Sequence, residues 1–435
     1  MPAVESSNRT KILSVLVERG LARGLALVGF VLVARWFGAE EFGRVSYVFA
    51  LGAFFAPIST FGLGNVMLRY FGTGLQSRAV SLAGRWRLIW GGVCFLLFPW
   101  VYQLMAPDNP LPMGFVWLFA TMFLLAWLTV GEEWMFFAKN NRNLIAAGLA
   151  GSAGNLLVRL GVIVVGGPVG WLLAVPTVET LIKGAINWFG ARGRLWGRRE
   201  ETPDVVVESI DTTPVGRAMW RDGINFTLAG ISVLILTRMD LVMLGKLAGE
   251  REVGIYAVAV QLVDMVPMVL VILVRMLGSD LVTLFRRGEE VFVDQVSRVL
   301  GPGMWVLALA AVIMFWAGPW LVGAVFGPAF AEAGRPIAVL LLAQVFVFVG
   351  LMRGQYLALV QDSKLGVWAT AIGALTNIGL NAWAIPRFGV MGAAGATCAA
   401  RIFMSAIIPM FVPSQRIFNR ALVKALLRPW GRSAL

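Results

Sequence analysis

Long apolar runs separated by short polar stretches dominate the chain. A helix that crosses a bilayer needs about 20 mostly apolar residues. Runs of that kind occupy residues 13–37, 44–72, 86–106, 113–137, 144–166 and 170–191. After a polar interruption they resume at 223–245, 254–284, 302–322, 335–360, 365–385 and 391–412. The length rule thus predicts about 12 spanning helices. The interruption, Arg192–Asp222, carries Glu200, Glu201, Pro203, Asp204 and Pro214 and reads as a solvated connector. The expected fold class is an all-α integral membrane protein. Its divisions are an N-terminal six-helix lobe (1–191), a cytoplasmic linker (192–222), a C-terminal six-helix lobe (223–412) and a basic cytoplasmic tail (413–435).

Loop charge orients these spans. Alternate loops hold Arg78, Arg85 and Arg87, then Lys139 and Arg142, then Arg192, Arg194, Arg198 and Arg199, and later Arg286, Arg287, Arg298 and Lys364. Both ends of the chain join that side, with Arg9 and Lys11 at the start and Arg416, Arg420 and Lys424 near the end. Roughly 22 basic residues fall there against about five in the other loops, which places both termini in the cytoplasm. The opposite loops, among them Gly38–Gly43, Pro107–Pro112 and Pro386–Val390, are too short for an extracytoplasmic domain.

Composition narrows the chemistry. The chain is 58% hydrophobic and 14% charged, with a mean hydropathy of +0.78. Soluble domains carry roughly 25% charged residues, so lipid is the expected solvent. There is no histidine, which removes the commonest general base and the commonest zinc ligand. Cys94 and Cys398 both lie in apolar runs, and two such residues make neither a disulfide framework nor a metal site. No nucleotide-phosphate loop of the GxxxxGK[ST] kind is present. A net charge of +13 could suggest nucleic acid, but the basic residues are spread over short loops, where the positive-inside rule puts them.

An internal repeat fits the division into two lobes. Arg35-Trp-Phe-Gly-Ala-Glu-Glu-Phe-Gly43 aligns with Lys246-Leu-Ala-Gly-Glu-Arg-Glu-Val-Gly254, pairing Gly38 with Gly249 and Glu41 with Glu252. Asn155 pairs with Asn377, Gly167 with Gly389 and Gly170 with Gly392. An even number of spans per repeat gives both repeats one orientation, an arrangement used by transport folds.

Several of these segments resemble the prokaryotic polysaccharide-transporter family, the O-antigen flippases (Wzx-type) of the multidrug/oligosaccharidyl-lipid/polysaccharide exporter superfamily. They are Ala34-Arg-Trp-Phe-Gly-Ala-Glu-Glu-Phe-Gly-Arg44, Thr237-Arg-Met-Asp-Leu-Val-Met-Leu-Gly245 with Gly254-Ile-Tyr256, Phe326-Gly-Pro-Ala-Phe-Ala-Glu-Ala333, and the stretch Asn377–Ala394. The resemblance implies two six-helix lobes around a central cavity that opens to each side in turn. It also implies an undecaprenyl-diphosphate-linked oligosaccharide as cargo. It brings in membrane lipids and, as partners, a polysaccharide polymerase and export machinery.

Charge within the spans carries the candidate site, since an arginine or aspartate at a helix centre costs about 2.5–3.5 kcal/mol. Arg19 and Arg23 share one face of the first span at i,i+4, where a diphosphate entering from the inner leaflet would meet them. Snorkelling to lipid phosphates is the alternative. Arg238 lies about 16 residues beyond Asp222, roughly 24 Å of helix, too deep to snorkel. Asp240, two residues on, points elsewhere. Arg69, Arg275 and Arg353 sit towards the inner ends of the second, eighth and tenth spans. Arginine suits a diphosphate because its fork pairs with phosphate oxygens and keeps its charge when desolvated. In the resembled family the first, second, seventh and eighth spans line the cavity, which ranks Arg23, Arg238 and Arg275 above Arg353 and Arg159. Arg401 is a further intramembrane charge, and each of these arginines has a structural ion pair as its alternative.

Glu179 and Lys183 form an i,i+4 pair on the sixth span. Asp264 has no charged neighbour one helical turn away on either side and is the carboxylate best placed for ion coupling, with a partner on another helix as the alternative. No cofactor or metal is expected, and H⁺ or Na⁺ is left open as coupling ion. Pro57 and Pro267 fall mid-span at near-equivalent repeat positions and predict kinks. Most of the 17 tryptophans suit interface anchoring, while Trp127, Trp134 and Trp171 could touch glycan. The competing functions are a small-molecule exporter of the same superfamily and a membrane-embedded glycan ligase or polymerase. Short outer loops without histidine disfavour the latter.

Overall fold

The computed structural model describes residues 2–105, 110–195, 215–360 and 362–427. Of these, residues 2–23, 193–194, 275–276, 278–280, 363–364 and 367 are described by backbone only. All regular structure among the described residues is helical, as expected where backbone groups must pair within their own segment because lipid offers no partners. The chain forms two compact units, Met1–Ile231 and Ser232–Leu435.

The first unit begins with α1 (Pro2–Ala53), α2 (Ala56–Ser59), α3 (Leu63–Met67) and α4 (Gln76–Met105). It continues with α5 (Met113–Leu124), α6 (Thr129–Phe137), α7 (Asn141–Val165) and α8 (Val175–Leu195), and takes in the start of α9 (Val215–Leu247). A 3-10 stretch, Leu125–Leu128, joins α5 to α6, and another, Val169–Ala174, leads into α8.

The second unit holds the rest of α9, α10 (Glu250–Val263), α11 (Met265–Arg287), α12 (Glu289–Phe326), α13 (Gly334–Leu359) and α14 (Ser363–Ile402). A π-helical turn, Phe403–Ile407, joins α14 to the short α15 (Ile408–Met410), and α16 (Arg416–Leu427) follows.

Proline explains the breaks. Proline lacks the N–H that would bond the carbonyl four residues earlier. Those carbonyls belong to Ala53 for Pro57 and to Val263 for Pro267, the last residues of α1 and α10. The kinks expected at both prolines are therefore found as helix breaks in the two halves. The first bends the chain by 42°. Pro409 similarly deprives Ser405 of its donor, and the helix widens there into the π-turn closed by the Ile408 N–H on the Phe403 carbonyl.

The described residues contain nine helices long and apolar enough to cross a membrane, or ten if the bent pair Gly24–Ala53 and Ala56–Met67 is one span. That count takes the chain through Gly38 and the chain through Gly389 each as one helix. Helices α1 and α14 are each two helices that meet at a kink, at Gly38 and at Gly389, inside the expected turns Gly38–Gly43 and Pro386–Val390. Gly38 (φ 75, ψ 177) and its repeat partner Gly249 (φ 95, ψ 175) share a conformation that a Cβ disfavours.

Two further points position the site. The boundary between units falls within α9 and not at its start, because the first turns of α9 pack into the first unit. There the Trp220 ring lies 4.9 Å from that of Phe61 and 5.6 Å from that of Trp86. In the second unit, residues expected to form a basic tail include a docked helix. Phe418, Ala421, Leu422 and Ala425 of α16 are buried in a core with Phe292, Phe348 and Tyr356. Arg420 pairs with Glu289 and Glu290, and Lys424 with Asp294.

Candidate functional site

Arg238 with Asp264, Asp240, and Arg353 occupy three different settings in the second unit. Arg238 on α9 donates from Nη2 to Asp264 Oδ2 at 2.7 Å, and both side chains stay partly exposed, at 31% and 38%. Asp264 stands at the break between α10 and α11, so the pair ties α9 to that break. Of the two readings of Asp264, the one with a partner on another helix is found, 26 residues away, where counting along its own helix cannot see it.

Asp240, two residues beyond Arg238, turns into the interior and is 3% exposed. Its Oδ2 accepts from the Tyr256 hydroxyl at 2.6 Å and from Thr397 Oγ1 at 3.2 Å, while Oδ1 accepts from the Leu241 N–H at 2.9 Å. Asn377 Nδ2 donates to Thr397 Oγ1 at 3.2 Å, and Asn381 Nδ2 to Asn377 Oδ1 at 3.1 Å. The network satisfies a buried carboxylate that unpaired would be costly. Asp240 is thereby removed from the cargo-facing candidates. The opposed directions of Arg238 and Asp240 follow from their i,i+2 spacing.

Arg353 is the third setting, and it too is corrected. Its guanidinium donates to Gln415 Oε1 at 2.9 Å and to Asn419 Oδ1 at 3.1 Å, and lies 4.4 Å from the Phe418 ring centroid. At 4% exposure it anchors α16 and faces no cargo.

In the first unit, Glu179 pairs with Lys183, as their spacing suggested, and Glu179 Oε2 also accepts from Asn155 Nδ2 at 2.6 Å. The repeat-paired asparagines thus do matching work. Each is buried and each donates to a residue 20 or more positions on, Asn155 of α7 to Glu179 of α8 and Asn377 to Thr397 across the kink at Gly389 within α14. Arg69 is exposed and donates to Asp222 at 2.7 Å. Of the candidate glycan platforms, Trp134 is buried against Phe71 and Phe137, while Trp171 stays half exposed beside Phe115. Arg19, Arg23 and Arg275 lie outside the described side chains.

Sequence reasoning missed Arg87, which it placed in a loop. Helix α4 begins at Gln76, so Arg87 falls inside it, fully buried. Its Nη2 bonds Glu133 at 2.6 Å, Nη1 bonds Thr129 Oγ1 at 2.8 Å and Nε bonds the Thr60 carbonyl at 3.3 Å. Glu133, in the fourth apolar run, was the available signal of a buried partner. Among the described residues, no group of three or more His, Cys, Asp or Glu gathers in a way that could hold a metal ion.

A sequence profile described as polysaccharide biosynthesis protein matches residues 9–277. No curated protein matches in sequence. Among solved structures, an inward-facing multidrug resistance MATE family transporter of the MOP superfamily superimposes with a TM-score of 0.67 at 13% identity, covering 96% of this chain and 100% of the other. The lipid II flippase MurJ, in an inward closed conformation, superimposes with a TM-score of 0.68 at 12% identity, covering 95% of this chain and 91% of its own. At such identities the likeness is one of fold.

Proposed function

The chain belongs to the polysaccharide biosynthesis protein family, and from that premise, joined to its multi-pass transporter fold, we propose that it is a flippase. Its cargo is an undecaprenyl-diphosphate-linked oligosaccharide, carried from the cytoplasmic to the periplasmic leaflet of the inner membrane by alternating access. Both termini are cytoplasmic, a polysaccharide polymerase and export machinery act beside it, and no bond is made or broken. The observation that carries this reading is Arg238: a partly exposed guanidinium deep in a span, held by one equally exposed carboxylate. Such a pair can be opened by a competing anion, and a diphosphate supplies about two negative charges with oxygens that match the arginine fork. Arg23, Arg275, Arg19 and Arg69 extend the cationic path. Asp264 and Glu179 are assigned to coupling. Neutralising Asp264 with H⁺ or Na⁺ frees Arg238, which links ion uptake to anion binding.

A second reading, export of small molecules, draws on the fold shared with the MATE transporter. Proteoliposomes separate the two. The flippase should move a lipid-linked oligosaccharide to the opposite leaflet, scored by accessibility of its glycan to a membrane-impermeant lectin. Arg238→Ala should lower that rate about tenfold or more, as loss of a charge-assisted bond predicts. Transport of a cationic dye without movement of the lipid would favour the exporter instead.

A further inference from the structure

We propose that a cleft at the Gly38 kink of α1 is a saccharide-binding site, which takes sugar residues of the lipid-linked glycan on the extracytoplasmic side. The proposal rests on the flippase reading and adds a site to it.

The internal repeat supplies the comparison. In the second unit, the turn at Gly249 is sealed against its neighbours. Glu252 Oε2 accepts from the Val390 N–H at 3.4 Å, beside the Gly389 kink of α14. Arg251 donates to both carboxylate oxygens of Glu332, at 2.8 and 3.3 Å. Ile255, three residues beyond Glu252, is fully buried. The first unit carries the matching turn with different chemistry. Glu41 stands in the place of Glu252, but Pro168 stands in the place of Val390 and has no N–H to give. Glu40 reverses the charge of Arg251, and Arg44 replaces Ile255. Glu40 and Glu41 pair instead with Arg44 on their own helix, at 3.2 and 2.9 Å. A cleft of about 350 Å³ remains where the second unit is closed, with Phe37, Glu41, Arg44, Pro112, Phe115 and Pro168 in its lining.

The lining selects the ligand. Ligand pockets span about 300–1,000 Å³, so the cleft has room for a short saccharide and not for a whole lipid-linked molecule. Phe37 and Phe115 offer apolar surface to the C–H face of a sugar ring. The half-exposed Trp171 ring, 5.5 Å from that of Phe115, extends this surface. Glu41 accepts hydrogen bonds and Arg44 donates them, which suits hydroxyl groups that do both. Two carboxylates beside one guanidinium repel a phosphate, and Arg44 already offsets their pull on a cation. A neutral polyol fits what is left. Loop charge puts the kink on the extracytoplasmic side, where the flippase reading delivers the glycan.

The test uses the full chain in nanodiscs. The probe is the free oligosaccharide released by mild acid from the lipid-linked pool of the native membrane, and binding is read by saturation-transfer NMR. The wild type should bind it saturably. Glu41→Gln should weaken binding about tenfold, as loss of a charge-assisted bond predicts. Pro168→Val supplies the missing N–H and should draw Glu41 across, as Glu252 is drawn to Val390, with a similar loss. Glu252→Gln, in the sealed turn, should leave binding unchanged. The same variants are scored for lipid flipping by lectin accessibility in proteoliposomes, where Glu41→Gln should be several-fold slower than the wild type. Absence of saturable binding by the wild type, or undiminished binding by Glu41→Gln, overturns the site, and normal wild-type flipping then leaves the flippase reading standing. Normal flipping by Glu41→Gln with its saccharide binding lost overturns the assignment of the cleft to the cargo. A wild type that binds the saccharide through Glu41 but flips no lipid overturns the flippase reading instead. If Glu41→Gln does not fold, Pro168→Val decides: weaker binding supports the site, and unchanged binding overturns it.

Discussion

Arg87 donates to Glu133 at 2.6 Å from a side chain with no solvent exposure, joining α4 to α6. Removing one partner of a buried pair leaves the other charge uncompensated and costs about 3–5 kcal/mol. Arg87→Met should therefore lower the thermal midpoint in detergent sharply. Replacing both partners with apolar residues, Arg87→Met with Glu133→Leu, should recover most of the loss. Equal instability of the single and double variants would show that the pair is not what the site requires.

Arg353 should behave as a structural residue. Arg353→Ala removes charge-assisted bonds to Gln415 and Asn419 and the contact with the Phe418 ring. The expected cost is about 2–3 kcal/mol, seen as lower membrane abundance. Transport per molecule should stay near the wild-type rate. Loss of rate at normal abundance would return Arg353 to the cargo path.

Gly38 and Gly249 provide a matched pair of tests. A Cβ added at either meets nothing within 4 Å, so the cost of alanine there is purely conformational, about 1–2 kcal/mol at each site. Gly92, inside α4, also has open space, and Gly92→Ala should gain about 0.5–1 kcal/mol. Denaturation of the three variants should give opposite signs for the two classes. A stabilising Gly249→Ala would refute the conformation assigned to that turn.

Topology follows from loop charge. A reporter inserted at Arg251, between α9 and α10, should read extracytoplasmic, and one at Gly288, between α11 and α12, cytoplasmic. The reverse result at either position would invert the second unit.

The sequence made the helical architecture legible because lipid leaves few alternatives. Apolar length marked the spans, and Pro57 and Pro267 marked two of the breaks. The Glu179–Lys183 pair was legible because its members are one turn apart. What escaped was the identity of partners on other helices. Arg238 and Asp264 are 26 residues apart, and Arg353 meets residues 62 and 66 positions away. Arg87 was misplaced for a different reason. The polar first turns of α4 resemble a loop in composition, so hydropathy starts the span at residue 86, ten residues late, and Arg87 at its edge reads with the basic loop before it.

The docking of α16 sets an order of events during synthesis. Arg420 and Lys424 leave the ribosome about 130 residues after the carboxylates they pair with on α12, an interval of roughly 6–26 s at ordinary elongation rates. Throughout it, the acidic edge of α12 stands bare, and the seat for Phe418 beside Phe292 and Tyr356 is open. Arg353 waits without Gln415 and Asn419. Maturation of this half is thus a two-step event: its long helices assemble first, and an amphipathic segment then seals one end of them.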